Sequence, residues 1–168
     1  EQEGTYPLPE AQVDRFLLKV KVGYPGKEDE MKILDAVSGN GLEMPSAVAN
    51  KDDILKARRL VKEIYVDERI REYIVNLVLA TRDPASIKRS ELSGFISVGA
   101  SPRASIGLAS AAKAHAFIEE RGYVTPEDVK ACAMEVLRHR IVLSYEAEAE
   151  EVSAETVVQK ILDSVEVP

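Results

Sequence analysis

The feature that most constrains this chain is one strand pattern with no counterpart. In Phe16-Leu17-Leu18-Lys19-Val20-Lys21-Val22 apolar and charged residues alternate after Leu18, which is the period of a strand with one buried face. Gly23-Tyr24-Pro25-Gly26 breaks it. A strand's amides and carbonyls need ladder partners, and no second strong strand of similar length follows. The expectation is that residues 1–23 belong to a sheet lying largely outside this chain, with Pro9–Phe16 forming a short helix ahead of the strand.

From residue 24 onward the pattern is helical. Lys27-Glu28-Asp29-Glu30 is an acidic first turn, and Met31, Leu34 and Val37 follow at helical spacing up to Ser38-Gly39-Asn40-Gly41. Asp52 or Asp53 is expected to cap a second helix bearing Ile54, Ala57, Val61 and Ile64. Asp67 caps a third, with Ile70, Tyr73, Ile74, Leu77 and Val78 as its stripe, stopped at Arg82-Asp83-Pro84. Residues 85–94 read as a loop. Gly94–Val98 and Arg140–Leu143 read as a small strand pair. A helix over 102–121 should end at Gly122, and Thr125-Pro126-Glu127-Asp128 opens another. Tyr145–Glu151 shows no clear structure, and Ser153 caps the last helix. The 168 residues are 45% hydrophobic, yet they include no Trp and only three Phe. Such a core must rest on aliphatic residues and Ala, which favours helix-on-helix packing. The fold class expected is mainly α: a helical bundle with at most a short two-stranded element.

Several functions are disfavoured. A net charge of −7 argues against a general nucleic-acid binder or a partner of anionic membranes. The single cysteine, Cys132, allows neither an internal disulfide nor a thiolate cluster. No apolar run reaches membrane-spanning length, and no signal peptide is visible. There is no G-x-x-x-x-G-K-[ST] loop to cradle phosphates and no acidic pair after an apolar strand. The chain is therefore not expected to hydrolyse a nucleotide by itself. Its first residue is not Met, and the expectation is a piece cut from a longer protein.

The most informative polar stretch is Val98-Gly99-Ala100-Ser101-Pro102-Arg103-Ala104-Ser105. Ser101 suits an N-cap and Pro102 the first helical position. Arg103 then sits at the positive end of the helix dipole, where a cation is unfavourable. One account is a bound anion, met by amides, dipole and guanidinium together; the other is a plain surface arginine. Arg15, taken from its neighbours alone, reads as an arginine that is solvated or paired with Asp14. His115 and His139 are too isolated for a metal site, so no metal ligands are assigned. Cys132 reads as a small buried hydrophobe. Arg89 or Arg138 could face a neighbouring subunit, although nothing in the spacing requires it.

Val98–Ser105 with its Ala-rich helix, then Tyr123-Val124-Thr125-Pro126-Glu127-Asp128-Val129 and Val136-Leu137-Arg138-His139-Arg140-Ile141, resembles the C-terminal lid of MoxR-type AAA+ ATPases. The opening from Glu1 through Leu8-Pro9-Glu10-Ala11-Gln12-Val13-Asp14-Arg15-Phe16 resembles the end of that family's ATPase core. The resemblance implies that residues 1–23 are the last helix and strand of the core and residues 24–168 the lid. It implies that Arg103 is the sensor 2 residue touching nucleotide, with Ser101 and Pro102 beside it, and that Arg15 is an arginine finger acting on a neighbouring subunit. It further implies ATP and Mg²⁺ in the full-length protein, none tightly bound by this stretch alone. The implied assembly is a homo-oligomeric ring, a hexamer. Its work would be chaperone-like maturation of cytoplasmic partners, among them proteins with von Willebrand factor A domains. Neither nucleic acid nor membrane insertion is implied. The competing expectation is a stand-alone helical module for protein or DNA binding, compatible with the short turn between the helices at 102–121 and 126–138.

Overall fold

The computed structural model describes residues 8–38 and 44–168. The opening through Tyr6 and the Gly39-Asn40-Gly41 stop lie outside the described residues. Contacts divide the chain into two units, one made of the residues up to Lys19 with Arg59–Pro168, the other of Val20–Arg58.

In the second unit, helix α2 (Lys27–Ser38) has Glu28, Asp29 and Glu30 in its first turn but buries no residue. The alternating stretch 17–22 forms no strand. The one-sided pattern is present, but the described residues offer it no ladder. Helix α3 (Lys51–Glu63) starts one cap earlier than the sequence suggests. Asn50 Oδ1 accepts from the amides of Asp52 (2.8 Å) and Asp53 (3.0 Å), while Asp53 Oδ2 accepts from the Asn50 amide (2.9 Å). Asn and Asp cap almost equally well, so the reciprocal pair decides: Asn50 caps and Asp53 reaches back.

The first unit begins with one helical turn, α1 (Glu10–Val13). Helix α4 (Glu68–Ala80) is capped by Asp67, whose carboxylate accepts from the Arg69 amide, and it buries all five residues of the expected stripe. The segment expected as loop contains two short 3₁₀ turns, Pro84–Ile87 and Ser90–Gly94. Leu92 in the second is fully buried, and a single apolar residue in a polar run carries no period to announce it. Strand β1 (Ile96–Val98) leads to helix α5 (Pro102–Ile118). Helix α6 (Pro126–Leu137), strand β2 (Val142–Leu143), α7 (Tyr145–Ala149) and α8 (Ala154–Leu162) follow. The two strands pair antiparallel, Ile96 opposite Leu143 and Val98 opposite Val142, with an irregular register between. α7 replaces the structureless link expected at 145–151. Ser144 caps it, and Ala147 is fully buried.

Helix α5 stops at Ile118, short of Gly122. Glu120 takes the left-handed conformation at φ 57°. Its amide reaches Phe117 O (3.1 Å) and the Arg121 amide reaches Ala116 O (2.8 Å), the paired C-terminal closure usually built on glycine. α5 packs on α6 and α4, and α6 on α8. The seam of α5 is built from Ala104, Gly107, Ala111, Ala112 and Ala116, all buried, and small residues permit close helix approach. Leu77, Leu108, Leu137, Val157 and Ile161 fill the remaining core with no exposure. Each such side chain contributes roughly 1.5–3 kcal/mol by leaving water.

Candidate functional site

The stretch before α5 is pinned by the end of α4. Thr81 Oγ1 donates to Val78 O (2.7 Å) and accepts from the Ala100 amide (2.9 Å). Arg82 Nε donates to Ala100 O at 2.7 Å. Gly99 makes this approach possible, since a Cβ there would lie 2.5 Å from Thr81 O and 2.8 Å from Arg82 Cγ.

With the loop fixed, α5 starts as expected. Ser101 has extended backbone, Pro102 opens the helix, and Ser101 Oγ accepts from the Arg103 amide at 3.2 Å. The same hydroxyl donates to the Asp14 carboxylate, 3.0 Å from Oδ2. Arg103 Nη1 donates to that Oδ2 at 3.0 Å, with 60% of the Arg103 side chain exposed against 18% for Asp14. So exposed an ion pair contributes at most about 1 kcal/mol. It orients Arg103 more than it stabilises the fold.

Asp14 has a second cationic neighbour. Arg140 Nε stands 3.2 Å from its Oδ1, although no hydrogen bond forms along that N–H. Burial alone would raise the Asp14 carboxyl. The Arg103 and Ser101 hydrogen bonds and the two arginine charges outweigh it and hold the group below its ordinary value. The Arg140 side chain is only 2% exposed. Its guanidinium donates to four carbonyls: Val136, Asp14 (3.3 Å), Phe16 (2.5 Å) and Leu17 (3.2 Å). Burial lowers its pKa, and Asp14 pulls it back up; an arginine stays charged regardless. His139 Nε2 lies 3.0 Å from Phe16 O. A carbonyl only accepts, so Nε2 carries the proton. Burial lowers the His139 pKa, in keeping with a neutral ring. The Lys19 amide donates to Glu135 O at 2.8 Å. Residues 14–19 are thus gripped along their backbone by the end of α6 and the residues after it. The grip also satisfies two last-turn carbonyls of α6 that would otherwise lack partners.

Arg15 stands apart. Its side chain is exposed and has no hydrogen bond or ion pair among the described residues. The Asp14 pairing considered for it goes to Arg103 instead. A cleft of about 480 Å³ opens next to this network, lined by Leu8, Asp14, Val98, Ser101, His139 and Leu143 among others.

A second polar cluster joins α5 to α6. Asp128 is fully buried and accepts from the Thr125 amide (2.7 Å), from Arg121 Nη1 (2.7 Å) and Nη2 (2.5 Å), and pairs with His115 Nδ1 (2.7 Å). Against the effect of burial, these contacts drive its carboxyl far below the usual range. Every member of the cluster is engaged in fixing the turn. Arg89 is used by Ser164 (2.7 Å) and Arg138 by Glu135 (2.8 Å), both within the chain. Among the described residues no group of His, Cys, Asp or Glu could hold a metal ion, and no helix is long and apolar enough to cross a membrane.

The structure therefore joins Ser101 and Arg103 to Asp14 and, among the described residues, gives the Arg15 side chain no partner. Sequence reasoning missed two members, Asp14 as the hub and Arg140 as the clamp. Arg138 and Arg140 look equivalent at a helix end, and partners more than 120 residues away leave no local pattern.

Comparisons with known proteins agree among themselves. The AAA lid domain family matches residues 90–161. Chaperone MoxR1 of Mycobacterium tuberculosis is 41% identical over 170 residues, covering 100% of this chain and 44% of that protein. The uncharacterized protein YeaC of Bacillus subtilis is 40% identical over 169 residues, covering 100% and 50%. A crystal structure of a Cytophaga hutchinsonii protein assigned as an ATPase superposes with a TM-score of 0.94 at 44% identity, covering 100% of this chain and 51% of that one. The chain spans about half the length of the relatives it matches.

Proposed function

Since the chain belongs to the MoxR-type AAA+ ATPases and carries their C-terminal, lid-bearing part, we propose that it is the nucleotide-responsive region of an ATP-driven, chaperone-like machine. On this reading residues 1–23 close the ATPase core and residues 24–168 form the lid. ATP with Mg²⁺, when bound in the full-length protein, supplies the phosphoryl bond whose hydrolysis drives the cycle. No phosphate-cradling loop occurs in this sequence, so these residues supply only the lid side of that site and are not expected to hydrolyse ATP alone.

The observation that carries the reading is Arg103. It is an exposed guanidinium in the first turn of α5, held by Asp14, which lines an open cleft together with Ser101. Amides of the first turn, the helix dipole and a forked cation suit an anionic phosphate. In this role Arg103 is the sensor 2 residue, with Ser101 and Pro102 setting its turn. Arg15, exposed and unengaged, is the arginine finger reaching the neighbouring subunit's nucleotide in a homo-oligomeric ring, a hexamer. The clients are protein partners in the cytoplasm, von Willebrand factor A domain proteins among them.

Steady-state ATP hydrolysis by the full-length protein tests this. Arg103→Ala is expected to lower turnover by at least ~10-fold, the equivalent of a lost charge-assisted contact of roughly 1.5–3 kcal/mol. The melting temperature should stay close to wild type, because the pair it loses is exposed. Arg103→Lys should restore only part of the rate, lacking the planar fork. Wild-type turnover in the alanine variant would reduce Arg103 to a surface residue. A large drop in melting temperature would make its role structural.

A further inference from the structure

A guanidinium is expensive to bury, and a well-packed apolar residue would hold two segments together at lower cost. Arg140 is nevertheless almost wholly buried, and three of its four carbonyl partners are Asp14 O, Phe16 O and Leu17 O. Two of these are the carbonyls of Asp14 and Phe16, the residues that flank Arg15. His139 Nε2 donates to Phe16 O as well. The Arg140 Nε lies against the Asp14 carboxylate, which Arg103 also holds. Backbone on both sides of one exposed, unengaged arginine is thus fixed by a fork of donors from beyond α6. A fixed backbone sets where the Arg15 Cα sits and the direction in which its side chain leaves the surface, and small misplacement of a catalytic group is costly.

From this arrangement we infer that Arg140 is a positioning residue for Arg15: it aims the arginine that works on the neighbouring subunit by clamping the carbonyls of the residues on either side of it. The inference rests on the reading of Arg15 as a finger acting in trans, and it adds a residue more than 120 positions away to that function. A lysine cannot replace the fork. One ammonium is a point donor and cannot span carbonyls that Nη1 and Nη2 hold separately.

The test uses the full-length protein in three variants, Arg15→Ala, Arg140→Ala and Arg140→Lys, each assayed as homogeneous rings. Each is then mixed with a copy whose own nucleotide site is disabled but whose Arg15 and Arg140 are intact. In homogeneous rings all three should lose at least ~10-fold in kcat, as loss of an arginine finger does, with KM for ATP little changed. In mixed rings the disabled copy lends its finger, so activity per competent subunit should rise for all three. A lid that merely unfolds would not recover in this way. Arg140→Lys keeps the buried charge and is the decisive variant if Arg140→Ala fails to fold. Wild-type kcat in Arg140→Lys overturns the inference. So does recovery of Arg15→Ala in mixed rings without recovery of Arg140→Lys, since Arg140 would then be acting in its own subunit. If Arg15→Ala keeps full activity, or is not rescued by mixing, the finger reading falls, and the inference falls with it.

Discussion

Helices α2 and α4 carry the same kind of apolar stripe and come to different ends. In α4, Ile70, Tyr73, Ile74, Leu77 and Val78 are at most 6% exposed. In α2, Met31, Leu34 and Val37 are 57%, 64% and 67% exposed. Both show helical periodicity, and both open on acidic residues that suit the dipole. The difference is the neighbour. α4 lies against α5, α6 and α8, while the side-chain contact described for α2 is local, the Lys32–Asp29 pair at 3.0 Å. A pair of this kind contributes roughly 0.2–0.5 kcal/mol. A period of 3.6 specifies a helix and the side that wants burial; it says nothing about what will bury it.

The sharpest test of this contrast is truncation in α4. Leu77→Ala should cost about 2–5 kcal/mol, because a fully buried leucine leaves both a transfer loss and a cavity. Urea unfolding measures it, and a loss below 1 kcal/mol would mean that α4 is less tightly packed than described. Next comes Gly99→Ala, which puts a methyl against Thr81 O. Main chain cannot swing aside as a side-chain tip can, so roughly 1–3 kcal/mol should be lost, along with the Ala100 contacts that seat α5. An unchanged unfolding midpoint would show that the loop has room.

Acidification should act on the grip around residues 14–19 in two stages. His139 has a folded pKa below its ordinary 6.5. Its contribution is complete above that value and is lost as pH falls through the folded pKa, because the unfolded chain binds the proton more readily. Asp14 has a folded pKa below its ordinary 3.8. Its contribution is complete above that value and disappears at still lower pH. The Asp128 carboxyl is also held below its ordinary value, so the Asp14 share is read as the difference between wild type and Asp14→Asn. Urea midpoints that are flat between pH 7 and pH 5 would remove His139 from the account. The smallest effect belongs to α2: Leu34→Ala should stay within about 0.5 kcal/mol, as exposed positions do. A loss comparable to that of Leu77→Ala would show that α2 packs after all.

What could be read from the residues was local. Asp67, Ser101 and Ser153 cap the helices they were expected to cap, because a cap is decided within three residues. The strand pair was readable from two apolar β-branched stretches. Leu92 and Ala147 were not, since each is one buried residue in a polar setting. Glu120 was passed over for Gly122, although a non-glycine can take the left-handed position when the closing hydrogen bonds compensate. At the site, Ser101 and Arg103 were found through their helix start. Their partner Asp14 was found only as a neighbour of Arg15, and Arg140 as one of two similar basic residues. Contacts between the two ends of the chain are written in no short pattern.

The alanine seam of α5 has a mechanical consequence. Ala104, Ala111, Ala112 and Ala116 have no rotamers to exchange, and Gly107 has no side chain at all. A Cβ on Gly107 would already stand 3.3 Å from Val136 Cγ1. A contact made of such residues has little compliance: it offers few torsions in which an applied displacement can be dissipated. A displacement applied at the first turn, where Arg103 sits, would meet few such torsions along this seam, and the chain after α6 leads directly to His139 and Arg140, which hold the Asp14–Leu17 backbone. Larger, softer side chains along the same seam could keep the helix in place and still absorb that displacement.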